Sequence, residues 1–168
     1  MPESKMQWYA VYTKPRWEKK VYALLLEQGM QGYCPLNKVR KKWSDRIKWV
    51  EEPLFKSYVF VKLDPAGMTK VRMVNGVVNF VYWLGKPAVV RENEIETIRK
   101  FLNDYKEVTV SRTDLREDDK IMIRKGAFMD KEAKVVSVFK NKVRVIIESI
   151  GFTLMATIDR SNAEVRRK

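Results

Sequence analysis

Residues Gln7–Thr13 are dominated by β-formers, and the run predicts a strand with both faces half buried. Lys14-Pro15 ends it. Pro15 suits the first position of a helix, and Glu18 suits its first turn, where a negative charge meets the helix dipole. Trp17, Val21, Leu24, Leu25 and Gln28 then recur at helical spacing, so an amphipathic helix is expected, closed by Gly29. Alternation returns between Gly32 and Glu52. The runs Tyr33–Trp43 and Ile47–Val50 bracket Ser44-Asp45-Arg46 and predict a hairpin with its tip there.

Beyond Pro53, Phe55–Leu63 reads as a central apolar strand. Asp64-Pro65 has the residues of a helix start, and that short helix closes at Asn75-Gly76. Val77–Trp83 predicts another strand, with a turn at Gly85-Lys86-Pro87. Ile95, Ile98, Leu102 and Tyr105 mark a third helix. Lys106–Asp119 has neither period and reads as a connection. Five short strands are expected after it: Lys120–Arg124, Ala133–Phe139, Lys142–Glu148, Phe152–Ile158 and Ala163–Val165. So many strands in so short a span are best closed as a small barrel, which removes exposed edges. The expected fold is α+β: an antiparallel sheet flanked by helices over residues 1–107, a linker over 108–117 and a small β-barrel over 118–168.

Charge changes the picture most. The chain of 168 residues carries 34 Lys and Arg against 21 Asp and Glu, a net +13, which points to a polyanionic partner. The excess is uneven: residues 1–50 hold 11 basic and 4 acidic groups, whereas residues 51–110 hold 9 and 8. There is no His and a single Cys, which argues against a zinc site, a His-based catalytic triad or an internal disulfide. Cys34 suits a reducing compartment, no apolar run is long enough to span a bilayer, and no export signal opens the chain; a cytoplasmic location without a membrane partner is expected. The paired carboxylates Glu51-Glu52 and Asp118-Asp119 are neighbours that point apart in extended chain, so no catalytic residues, cofactor or metal are expected.

Two sets of residues carry binding chemistry. The hairpin brings Lys41, Lys42 and Arg46 together with Trp43 and Trp49, cations for phosphates and flat rings for bases; a solvated hairpin whose Trp side chains lie over the core is the alternative. Lys14, Arg16, Lys19 and Lys20 add charge at the first helix, where plain solvation is an equal reading. Tyr12, Leu54 and Phe55 lie at strand ends beside prolines, where half-exposed residues on one face would form a patch for a protein partner; core packing is the alternative for each singly.

Trp8–Val21 (WYAVYTKPRWEKKV), Glu52–Asp64 (EPLFKSYVFVKLD) and Gly76–Val90 (GVVNFVYWLGKPAVV) resemble the amino-terminal domain of NusG-type transcription elongation factors, and Asp118–Val138 resembles the family's KOW module. Lys56-Ser57-Tyr58, where housekeeping members usually carry Pro-Gly-Tyr, makes the chain similar to specialised antitermination paralogues of the RfaH type. The run Asn79–Pro87 is similar to UpxY regulators of capsular polysaccharide operons. The resemblance implies that Tyr12, Leu54 and Phe55 dock on the clamp helices of RNA polymerase, suppressing pausing and termination. It also implies that a basic face reads the non-template DNA strand. Lys14 and Lys20 map onto that face, and Arg16 and Lys19 join them by charge and proximity. It further implies a monomer whose KOW barrel recruits a ribosomal protein or a termination factor. A ribosome- or RNA-associated KOW protein is the alternative. The chain departs from the pattern at three places: Gly67, Met68 and Thr69 stand near the place of the RfaH His-Thr-Thr contact, Asn75 replaces an expected basic residue, and Ala133 replaces a hallmark glycine.

Overall fold

A computed structural model of the chain describes residues 5–112, 136–139 and 141–157. The first sheet runs in the order β2 (Gln31–Tyr33), β5 (Tyr58–Leu63), β1 (Gln7–Thr13), β6 (Val77–Phe80), with β9 (Val89–Val90) also paired to β1; all these pairings are antiparallel. Its alternation separates two cores. Tyr9, Val11, Val59, Val61 and Leu63 face α1 (Glu18–Glu27) and α2 (Met68–Arg72), burying Val21, Leu25 and Val71. Trp8, Ala10, Tyr58 and Phe60 face the other way, onto Ile95, Ile98 and Phe101 of α3 (Glu92–Asp104).

Helix α1 begins later than expected. Arg16 sits at φ 68, in the left-handed region, so the chain turns after Pro15 and the helix opens past Trp17; Pro15 is outside it. Its end follows expectation: Gly29 at φ 77 lets the Gly29 and Met30 amides reach back to Leu26 and Leu25. The Asp64-Pro65 signal opens a short 3-10 turn, Pro65–Gly67, with the Asp64 side chain accepting from the Gly67 amide, and α2 follows. The apolar run at Phe55 becomes strand only from Tyr58, because Lys56 and Ser57 form a turn with Ser57 at φ 66. The run Val77–Trp83 is broken at Val81. Its second half is a tiny hairpin of β7 (Tyr82–Trp83) and β8 (Lys86–Pro87), turned at Leu84-Gly85.

The expected ribbon is present as β3 (Leu36–Lys42) paired with β4 (Ile47–Pro53), and the Trp43 amide donates to the Arg46 carbonyl across the tip. A further sheet has the order β10 (Thr109–Arg112), β13 (Phe152–Thr157), β12 (Lys142–Ile147), β11 (Val136–Phe139). The stretch expected as linker is therefore not all connection. Thr109–Arg112 is an edge strand of the second sheet, with Val110 facing Leu154 in register and three of its four side chains exposed. That exposure leaves it without a clear apolar period. The expected strands at 120–124 and 163–165, Ala133, and residues 113–117 of the linker lie outside the described residues.

The two sheets share one apolar core. Val143, Val145, Ile147, Ile150, Leu154 and Ala156 are buried in the same cluster as Trp8, Phe60 and Ile98. The turn Glu148–Phe152, between β12 and β13, contributes Ile150 and Phe152 to this shared core.

Candidate functional site

The aromatic face of β1 and β5 is built by register. Tyr12 pairs with Tyr58 across the ladder, the rings meet edge-on at 4.9 Å, and the Tyr58 hydroxyl donates to the Tyr12 hydroxyl at 3.3 Å. Phe55, carried on the turn before β5, stacks beside Tyr58 at 6.4 Å and meets Phe60 edge-on at 5.6 Å. Tyr12, Phe55 and Tyr58 thus form one cluster. Leu54 is held next to it by the hydrogen bond that its amide donates to the Pro35 carbonyl.

The expectation of half exposure fails for two of the three patch residues. Leu54 is 7% and Phe55 3% exposed, while Tyr12 is partly open. The cover comes from the second sheet: Phe152 lies 5.5 Å from both the Phe55 and Tyr58 rings, and the Arg112 guanidinium lies over Phe152. Burial, and then the bond with Tyr12, pushes the Tyr58 hydroxyl up to about 12.

Polar contacts lock this arrangement at the other end of the same turn. Glu94 is fully buried, and its carboxylate accepts from the Arg91 amide, closing the first turn of α3, and from both the amide and hydroxyl of Ser149. Arg91 also pairs with Glu148 at 3.4 Å, an exposed ion pair worth little by itself. Gly151, at φ 67, lies under the Trp83 ring; a Cβ there would come within 3.0 Å of it. Both features favour glycine there.

The basic residues divide into two groups. Lys14 and Lys20 flank Trp17, with their ammonium groups 5.2 and 4.4 Å from the indole ring, and all three stand at the entry to α1. Trp17 rests on Gly76, whose hypothetical Cβ would lie 2.5 Å from the ring. Arg16 is exposed beside them, and Lys19 turns to the Glu51 carbonyl at 3.0 Å, tying α1 to β4. On the ribbon, Lys42, Trp43 and Arg46 are exposed at the tip, with Trp43 55% open, whereas Lys41 pairs with Glu52. Trp17, Tyr58 and Phe152 were not among the sequence candidates. Trp17 was legible as a ring between two lysines and Tyr58 as the partner of Tyr12, but nothing local marks Phe152.

The family profile described as "Transcription termination factor nusG" matches residues 6–99, more than half of the chain. The chain belongs to the NusG family. A second profile, "KOW motif", matches residues 117–148, so the NusG-type amino-terminal domain is followed by the family's β-rich module. The chain is 29% identical over 167 residues to the "Transcription termination/antitermination protein NusG" of Streptococcus pyogenes serotype M1, covering 90% of this chain and 92% of that protein. It is 27% identical over 172 residues to the protein of that name in Lactococcus lactis, covering 94% and 91%. A solved structure described as "Domain interaction in Thermotoga maritima NusG" aligns with 92% of this chain and 98% of its own, at 19% identity and TM-score 0.46. No helix among the described residues is long and apolar enough to cross a membrane.

Proposed function

We propose that this NusG-family chain is a non-enzymatic, operon-specific elongation regulator acting in the cytoplasm, of the RfaH and UpxY kind, serving a surface or capsular polysaccharide operon. Its amino-terminal domain, residues 1–107, docks on the clamp helices of RNA polymerase through Tyr12, Leu54 and Phe55, with Tyr58 completing the patch. Bound there, it favours the actively elongating over the paused state of the enzyme. No bond is made or broken; the effect is a shift between existing states, set by differential affinity.

The observation that carries this reading is the aromatic cluster itself. Three rings and a leucine converge on one face of the first sheet. Large aromatics that share a face dominate protein interfaces. In the closed arrangement Phe152 covers that face, so polymerase and the second sheet compete for the same side chains. The regulator engages polymerase once the turn Glu148–Phe152 has left.

Lys14, Arg16, Lys19 and Lys20, with Trp17 between the first and last of them, form the surface that meets the non-template DNA strand. The ribbon tip, Lys41, Lys42, Trp43 and Arg46, extends it. The β-rich module, together with its edge strand Thr109–Arg112, then becomes free to recruit a ribosomal protein or a termination factor.

An elongation assay with purified polymerase tests the proposal. The chain is expected to shorten pauses, and Tyr12→Ala, at a partly open position, is expected to remove that effect while the thermal unfolding curve stays cooperative. Unchanged pausing with the wild-type chain contradicts it.

A further inference from the structure

The ribbon is joined to the start of the second sheet around a cleft that neither the aromatic face nor the α1 surface uses. Its volume is about 710 Å³, within the roughly 300–1,000 Å³ span of ligand sites, and it is lined by Arg40, Trp49, Asp104, Tyr105, Lys106, Glu107 and Thr157. Arg40 and Trp49 face each other in the ribbon's register, so they project on one side, together with Lys38 and Lys42 of the same strand parity. Trp49 is 45% exposed. Two cations lie against its ring, the Arg40 guanidinium at 5.6 Å and the Lys106 ammonium at 4.7 Å.

Glu107 completes the arrangement. Its carboxylate takes the Arg40 guanidinium at 3.0 Å, although both side chains are about half exposed. Its backbone is held in the left-handed region, at φ 52, by the bond from its amide to the Lys38 carbonyl and by the paired bonds between Asn37 and the Val108 backbone. A non-glycine residue is rarely found there, and the flanking bonds fix it. The chain thus places an internal anion on a guanidinium that stands beside an open indole face.

We propose that this cleft binds one nucleotide of a single-stranded nucleic acid, with the base on Trp49 and the phosphate in the place of Glu107 on Arg40. The base displaces one of the cations now over the ring, and that cation moves to the phosphate. Aromatic platforms with flanking cations hold single strands in this way without selecting sequence. Arginine matches phosphate through two parallel bonds, which a lone exposed carboxylate pair does not outlast. The cleft's own two cations and two carboxylates balance, so removal of the internal anion should raise affinity. A strand leaving the cleft along Lys42 continues towards the ribbon tip. The site is separate from the Lys14–Lys20 surface, and its test needs no polymerase.

The experiment is fluorescence anisotropy with the full chain and a labelled twelve-residue oligothymidylate, with oligouridylate in parallel to distinguish a DNA from an RNA strand. Trp49→Leu and Arg40→Gln are each expected to weaken binding about tenfold, Trp49→Phe to retain most of it, and Glu107→Gln to strengthen it about threefold, the sign opposite to that of a merely structural contact. A Lys14→Gln/Lys20→Gln chain reports separately on the α1 surface. Wild-type affinity in Trp49→Leu overturns the proposal, whatever Arg40→Gln does, because charge alone then accounts for binding. Weaker binding by Glu107→Gln also overturns it.

Discussion

Phe152 and Phe55 face each other with ring centroids 5.5 Å apart, and this contact closes the second sheet over the aromatic face of the first. Burying such a ring contributes about 2 kcal/mol through area removed from water. A contact of that size biases an equilibrium by more than tenfold yet remains reversible.

The polar end of the same turn is separable from the apolar end. Ser149→Ala removes the hydroxyl bond to Glu94 but leaves Glu94 capping α3. It should loosen docking by about 1 kcal/mol without lowering helix content. Glu94→Ala should cost more, because it also strips the α3 cap and leaves the Ser149 amide without its acceptor. Small-angle scattering should show a larger radius of gyration for both variants, and circular dichroism should show helix loss for Glu94→Ala alone.

Alkaline pH should open and then unfold the protein through buried tyrosines. The Tyr58 and Tyr33 hydroxyls are each pushed up to about 12, chiefly by burial. A folded-state value raised above the ordinary 10 means that the unfolded chain loses its proton first. The stability these groups contribute is complete below about pH 10 and is lost as pH rises through about 12. Denaturant midpoints should therefore fall across that window, and Tyr58→Phe should flatten part of the fall. Cys34, buried and held up to about 11, should resist alkylation at pH 8 until the chain unfolds.

The α1 surface should be visible as a salt dependence. Lys14→Gln and Lys20→Gln should each reduce the slope of log affinity for single-stranded DNA against log salt by about 0.7, measured with polymerase-bound chain. Trp17→Leu should weaken binding with little change of slope, since a ring contact releases no counterion.

Much of the first domain was legible because its signals are local. The run of β-formers at β1, the apolar spacing of α1 and α3 and the capping chemistry of Asp64 each act within a few residues. Where sequence reading failed, a backbone conformation or a distant partner decided. Arg16 and Ser57 adopt left-handed conformations that side chains usually avoid, which delays α1 and moves Phe55 out of β5. The burial of Phe55 involves Phe152, almost a hundred positions away, and no pattern near either of them encodes that docking. β10 was read as linker because an edge strand exposes most of its side chains. The aromatic patch was found in outline, since Tyr12 and Phe55 do converge; its cover was not.

The most direct test is the affinity of purified RNA polymerase for the wild-type chain, Phe152→Ala and the double variant Tyr12→Ala/Phe152→Ala. Phe152→Ala should bind about tenfold more tightly than wild type, because the aromatic face is no longer covered, and adding Tyr12→Ala should abolish the gain. Equal binding by all three chains would contradict the account, since polymerase would then be recognising some other face.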